Sequence, residues 1–195
     1  MTTGHLDCNA AAADARLTTS RLEQLSQVAR ISAELGGSVL MQHYGRLVSI
    51  EQKARAGDLV TNADLAAEKA VLASLTEATP EIPVLAEESG ALGDVSDLCW
   101  CVDPLDGTTN FAHGYPFFAT SIGLLWRGLP ILGAVAVPFL QEVFWCCPGS
   151  GAFLNDQPIQ VSSCSSLDDS LLVTGFAYDR RERLDNNYAE FCRLT

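Results

Sequence analysis

The sequence predicts an α/β protein: helical segments first, then a run of several strands. Three observations lead to that reading. Before Pro80, Ser20 to Tyr44 carries apolar side chains at helical spacing, and a second segment opens with helix-start residues at Thr61 and Asn62. From Phe118 to Leu154, alternating β-branched and aromatic stretches are cut by glycine and proline. Between these regions, a short apolar strand from Leu98 to Val102 runs into a cluster of Asp, Pro, Gly and Thr.

One domain is expected for 195 residues, and a hydrophobic fraction of 48% is enough for a sizeable core. A formal charge of −12 argues against a nucleic-acid partner, whose phosphates need cations, and suits a site that gathers divalent metal ions. The only lysines are Lys53 and Lys69, so there is no polybasic patch for acidic lipid. No apolar run is long enough to span a bilayer, and no membrane partner is expected. Seven cysteines occur without a Cys-x-x-Cys pair, so buried reduced thiols are expected rather than zinc. The alanine tract Ala10 to Ala13 lies between Asp7 and Asp14 with no basic region before it. This is not the pattern of a secretory signal, and its acids count against an organelle transit peptide. A cytoplasmic location is expected, with an organelle stroma as the alternative. Residues 1–19 are expected to form a frayed or disordered tail, and residues 20–195 the folded domain.

Residues Ser20 to Tyr44 read as one amphipathic helix, with Leu22, Leu25, Val28, Ala29, Ser32, Leu35, Val39 and Leu40 at helical spacing and Gly45 as the stop. Gly36-Gly37 inside it marks a close packing contact or a weak point. His43, at its end, is expected on the surface. Arg46 to Ile50 reads as extended and Ala54 to Asp58 as a small-residue loop. A second helix is expected to run to about Ala78; Thr61 and Asn62 are helix-start residues, and Asp64 and Glu68 suit its positive end.

Ile82 to Ala86 reads as a short strand ending in Glu87-Glu88-Ser89-Gly90, where adjacent acids repel unless a cation or water takes up the charge. Ala91 to Asp97 reads as a loop. Pro104 lacks an N–H and is expected to turn the chain out of the Leu98–Val102 strand. Asp106-Gly107-Thr108 then has helix-start chemistry. Strands follow over Phe118–Trp126, Ile131–Val137, Glu142–Cys147 and Gly151–Leu154, with a hairpin turn at Leu154-Asn155-Asp156-Gln157. Ser170 to Thr174 reads as another strand and Tyr178 to Arg193 as a helix.

The chemistry concentrates at Asp103 and Asp106, two carboxylates three residues apart at a strand end, beside the N–H groups of a helix start. Carboxylates bind hard cations and such N–H groups bind phosphate. A strand, a turn and a side-chain cap would explain a lone Asp-Gly; the density of special residues here favours a site. An EF-hand loop would need alternating oxygen ligands and a later Glu, which Asp103, Leu105 and Gly107 do not supply. An Asp-x-Asp-Gly-Thr phosphatase would need an Asp where Pro104 stands.

The run Trp100, Val102, Asp103-Pro104-Leu105-Asp106-Gly107-Thr108, Phe111 and His113 resembles the first signature of the inositol monophosphatase family. Asp64, after Val60-Thr61, and the Glu87-Glu88-Ser89 segment also match that family's pattern. The resemblance runs from about Ser20 to the last residue. It implies the family's αβαβα architecture, here truncated in the second α/β half. The family's Trp-Asp motif, which completes its second metal site, is missing: Trp100, Trp126 and Trp145 precede Cys101, Arg127 and Cys146.

The resemblance further implies magnesium-dependent hydrolysis of a small phosphate monoester, with inositol monophosphate as the leading substrate. Histidinol phosphate and other sugar or nucleotide phosphates are alternatives, as is an inactive fragment. Two or three Mg2+ ions are implied. Glu87, Asp103 and the Leu105 carbonyl would hold the first, and Asp103 and Asp106 the second. Glu87 would reach a third through water. Thr108 and Glu87 would position the attacking water, with Asp64 hydrogen-bonded to Thr108. Asp106, Gly107 and Thr108 would bind substrate, the last two through their amides, and Lys53 would add a weak electrostatic contribution. The family resemblance is also compatible with a homodimer.

Overall fold

The structure is a computed structural model that describes residues 7–52, 59–176 and 180–194. Its centre is a mixed eight-stranded sheet. In chain order the sheet strands are β3 (Val84–Ala86), β4 (Gly90–Leu92), β5 (Leu98–Asp106), β6 (Ala119–Trp126), β7 (Leu129–Val137), β8 (Glu142–Cys147), β9 (Gly151–Leu154) and β10 (Gln157–Ile159). They lie in the order β10-β9-β8-β7-β6-β5-β3-β4. All neighbours are antiparallel except β3 and β5, which run parallel. Two shorter strands, β1 (Ile50–Gln52) and β2 (Leu59–Thr61), form a separate antiparallel pair.

The long helices α2 (Thr19–His43) and α3 (Asn62–Ala78) lie against one face of the large sheet. Leu25, Ala29 and Ala33 of α2 and Val71 and Leu75 of α3 meet Trp100, Val102, Ile122, Leu124, Leu132 and Ala134 in one buried core. The alternation of β6 follows: Ile122 and Leu124 are buried, while Ser121 and Gly123 are only half-buried. Fully buried Trp100 donates its indole N–H to Thr79 Oγ1 (2.9 Å), and that hydroxyl donates to the Leu75 carbonyl (2.8 Å). The indole is thus a large apolar filler whose polar atom is satisfied. Among the described residues, no helix is long and apolar enough to cross a membrane.

Of the two readings of Gly36-Gly37, the structure shows the close packing contact. A Cβ at Gly36 would stand 2.7 Å from Thr120 Cγ2 and 2.9 Å from Val71 Cγ2, so the missing side chain lets α2 approach both β6 and α3. Thr120 Oγ1 in turn donates to the Pro104 carbonyl (2.9 Å), which couples this contact to the middle of β5.

Several expectations are corrected. The N-terminal segment is not a frayed tail throughout: Cys8–Asp14 forms a helix, α1. Asp7 caps it by accepting from the N–H groups of Asn9 (3.0 Å) and Ala10 (3.1 Å), and Ala11 and Ala12 are buried in the main core. An alanine tract has no amphipathic pattern to read, yet it has the highest helix propensity and fits a shallow groove. Pro104 does not end β5. The strand continues to Asp106 through a bulge, with Asp103 opposite Ser121 and Asp106 opposite Ala119, so β5 carries one extra residue. The proline falls in that irregularity, where a missing ladder donor is tolerated. Gly90–Leu92, within or beside a segment read as loop, pairs with β3.

The Leu154–Gln157 turn joins β9 and β10 as expected, with Asn155 at φ +54°. Its side-chain oxygen accepts from Val143 N (2.9 Å). Ser170–Thr174 is not a strand: it pairs with nothing among the described residues, and Leu171 and Val173 are 94% and 92% exposed. The last helix, α5, covers only Tyr188–Leu194. Both segments have apolar side chains but no described layer to bury them, and a short helix without packing gains little.

Gly36→Ala gains about 1 kcal/mol of helix propensity but forces Thr120 or Val71 aside, an overpacking cost of about 1–3 kcal/mol. The expected outcome is a net loss of stability, seen as a lower Tm in thermal denaturation.

Candidate functional site

The site forms where β3 and β5 end side by side. Their parallel register pairs Val84 with Trp100, Leu85 with Cys101 and Ala86 with Val102. The next residue, Glu87, continues that register by donating its N–H to the Val102 carbonyl (3.0 Å), which sets it level with Asp103. Two carboxylates from distant parts of the chain therefore meet through backbone pairing. The β5 bulge then brings in Asp106. Leu105 N donates to Asp103 Oδ1 (3.1 Å), which fixes the first carboxylate over the bend.

The electrostatics record the crowding. Burial, followed by the facing Glu87 carboxylate and then the Asp106 charge, pushes the Asp103 carboxyl up to about 7. A divalent cation would relieve both the burial penalty and the mutual repulsion. The donor set, carboxylates and a backbone carbonyl, is all hard oxygen and fits magnesium. Among the described residues, no three or more acidic, histidine or cysteine side chains are grouped so as to hold a metal ion by themselves. A metal ion held by these oxygens would need water or substrate to complete its coordination.

Beside this array, Gly107 begins α4 (Thr108–Ala112) at φ +93°, a conformation that favours glycine. A Cβ there would also lie 3.2 Å from the Phe117 carbonyl oxygen. Thr108 Oγ1 lies 3.2 Å from Asp64 Oδ1 and 3.0 Å from the Leu105 carbonyl, so its proton is held toward Asp64 and Leu105. Asp64 is 1% exposed. Its other oxygen, Oδ2, accepts from Thr61 N (2.8 Å) and Thr61 Oγ1 (2.6 Å) in a capping box that starts α3. Burial raises the Asp64 pKa, opposed by the hydrogen bonds from Thr61 and Thr108. Asp64 is thus both a helix cap and a link to Thr108.

The residues expected at a site fall into two groups. Glu87, Asp103, Leu105, Asp106, Gly107, Thr108 and Asp64 lie at one end of the sheet, tied by backbone pairing and hydrogen bonds. Lys53 lies outside the described residues. His43 contacts Asn62 at 3.1 Å (Nδ1 to Nδ2), and Asn62 Oδ1 accepts from Val48 and Ser49, so His43 braces the chain before α3. Sequence reasoning missed two contributors. Thr120 holds the Pro104 carbonyl, and Glu68 accepts from Glu88 N (2.9 Å) and from the Ser89 hydroxyl. The available signal for Glu68 was its spacing, four residues after Asp64 and so on the same helix face.

The raised Asp103 pKa has a consequence for the metal-free chain. The folded state binds a proton there that the unfolded state releases near the ordinary aspartate value of about 3.8. The resulting stability is fully present below about pH 4 and is lost as pH rises through about 7. In EDTA, this group is expected to lower Tm between pH 5 and pH 8, and Asp103→Asn to flatten that part of the profile, as measured by thermal melts across pH.

Comparisons with known proteins identify relatives over most of the chain. A chain described as inositol-1-monophosphatase from Synechocystis sp. is 51% identical over 177 residues, covering 90% of this chain and 62% of that protein. The fructose-1,6-bisphosphatase/inositol-1-monophosphatase of Aquifex aeolicus is 37% identical over 157 residues, covering 80% of this chain and 59% of that protein. The solved inositol monophosphatase of Anabaena (Nostoc) sp. superposes with a TM-score of 0.79 at 47% identity, over 89% of this chain and 64% of that structure. The chain thus spans about 62% of the length of its Synechocystis relative. The model of the inositol monophosphatase family matches residues 21–195, a span that holds every candidate site residue, and the chain belongs to that family.

Proposed function

We propose that this chain carries the core of a magnesium-dependent phosphomonoesterase, with inositol monophosphate as the leading substrate. The observation that supports it most is the placement of Asp103 against both Glu87 and Asp106, beside the Thr108–Asp64 pair. Glu87, Asp103 and the Leu105 carbonyl would hold one Mg2+, and Asp103 with Asp106 a second; Glu87 would reach a third through water. Bound there, magnesium supplies acidification of water, neutralisation of phosphoryl charge and stabilisation of the leaving alkoxide.

The chain's own groups account for orientation. With the Thr108 proton turned toward Asp64 and Leu105, the lone pairs of Oγ1 are available to accept from a water. Glu87, on the neighbouring strand end, would accept that water's other proton. Three donated hydrogen bonds keep Asp64 acting as an acceptor and lock the Thr108 rotamer. The amides of Gly107 and Thr108 would bind phosphoryl oxygens, and the absence of a Cβ at Gly107 allows close approach. Lys53 would add charge from the segment before β2. A small phosphorylated molecule in the cytoplasm is the partner this reading requires, and a homodimer is compatible with it. A second substrate reading, a sugar bisphosphate, is favoured by the double name of the Aquifex relative.

The test is phosphate release by the purified 195-residue chain from inositol monophosphate and from fructose 1,6-bisphosphate, with Mg2+ and with EDTA. Mg2+-dependent release that EDTA abolishes is expected; no release from any phosphate monoester would favour an inactive chain. Asp106→Asn is expected to reduce turnover by about a hundredfold or more with little change in Tm, because a coupled metal site tolerates the loss of a ligand poorly. Near-normal turnover in that variant at saturating Mg2+ would overturn the ligand assignment. Thr108→Ala is expected to lower kcat by about 100-fold or more while leaving KM within about threefold, since the hydroxyl orients the nucleophile rather than the substrate.

A further inference from the structure

Glu68 is a carboxylate on α3 that is only 3% exposed. A buried carboxylate needs strong donors, or its desolvation destabilises the fold. Its place in the sequence suggested that it serves the helix dipole. With the N-cap at Thr61, however, Glu68 lies in the second turn, where that effect has faded. The donors it has come from one place. Glu88 N donates to Oε2 (2.9 Å) and the Ser89 hydroxyl donates to Oε1. Both belong to the turn that follows β3 and begins with Glu87.

We propose that Glu68 is a positioning residue for Glu87, and through it for the metal site; the inference rests on the magnesium reading above. The Glu87 backbone is held on its strand side by the hydrogen bond from its N–H to the Val102 carbonyl. The Ala86–Gly90 pair closes the base of this three-residue turn, and an anchor at its tip would fix the direction in which the Glu87 side chain leaves it. Glu68 supplies that anchor by taking both following donors in a fork. Asp64 and Glu68 are one helical turn apart on one buried face of α3, about 6 Å along the axis. Asp64 takes the hydroxyl of Thr108 and Glu68 takes the Glu88–Ser89 turn, so a single rigid helix sets the spacing between the two parts of the site.

The test is isothermal titration calorimetry of the full 195-residue chain with Mg2+ alone, with Tm measured in EDTA for each variant. Glu68→Gln is expected to bind Mg2+ within about threefold of the unsubstituted chain. Its amide oxygen can accept from Glu88 N–H and its amino group can donate to Ser89 Oγ, which preserves the fork without the charge. Glu68→Ala is expected to weaken binding by about tenfold or more, the range typical of groups that orient metal ligands. Ser89→Ala, which removes one arm, is expected to fall between the two.

An affinity of Glu68→Ala within twofold of the unsubstituted chain would overturn the proposal. So would equal weakening by Glu68→Gln and Glu68→Ala, since that pattern belongs to charge rather than to placement. If Glu68→Ala gives no cooperative melt, Ser89→Ala decides: weakened Mg2+ binding supports the anchor and unchanged binding refutes it. Failure of the magnesium reading itself looks different. The unsubstituted chain would then show no Mg2+ binding and would match Asp106→Asn.

Discussion

Like charges gathered at the end of a parallel strand pair constrain everything around them. In general, two unit charges about 4 Å apart repel by roughly 4 kcal/mol at an effective dielectric of about 20, against a total stability of about 5–15 kcal/mol for a domain. A chain that puts Glu87 and Asp106 against half-buried Asp103 must therefore hold those side chains by something stiffer than the side chains themselves. Backbone pairing provides it. The β3–β5 register fixes Glu87 level with Asp103, and neither can move without breaking ladder hydrogen bonds. The raised Asp103 pKa records burial first and then the repulsion that remains, and a cation would relieve both.

The bulge at Pro104 matters for the same reason. A regular strand would send Asp103 and its neighbours alternately to opposite faces. One extra residue in β5 breaks that alternation, and Asp103 and Asp106 come to influence the same centre. Bulges cost ladder hydrogen bonds, so this one needs bracing. Leu105 N closes on Asp103, and Thr120 from β6 takes the Pro104 carbonyl. Thr120 can sit there because Gly36 leaves room beneath it, and so the close approach of α2 to the sheet supports the bend as well as the core.

The legible parts of this arrangement were those written locally. Apolar spacing located α2, helix-start residues located α3, alternation located β6 to β9, and the dense Asp-Pro-Leu-Asp-Gly-Thr run pointed to the site. Local cues misled where tertiary contacts decide. Pro104 is a strand breaker by its own chemistry, but the bulge accommodates it. Ala10 to Ala13 carries no amphipathic signal, yet β7 and its neighbours offer a surface that small side chains fill. Ser170–Thr174 has strand composition and no strand beside it among the described residues. Glu68 reads as a helix-dipole residue because the turn it grips is 20 positions away.

Asp64 and Glu68 also run against the ordinary economy of a core helix. Two buried carboxylates on a face that otherwise holds Ala63, Ala67, Val71 and Leu75 stabilise less than apolar side chains of similar size would. Each is tolerable only because its donors are supplied in place, by Thr61 and Thr108 for one and by Glu88 and Ser89 for the other. Thr108, Glu88 and Ser89 lie on the segments that bound the acidic array. Polar groups spent on core packing would find their partners wherever the core lies. These find theirs at the site, so α3 acts there as a template that holds two loops at a fixed separation while the acidic array between them remains open for cations and substrate.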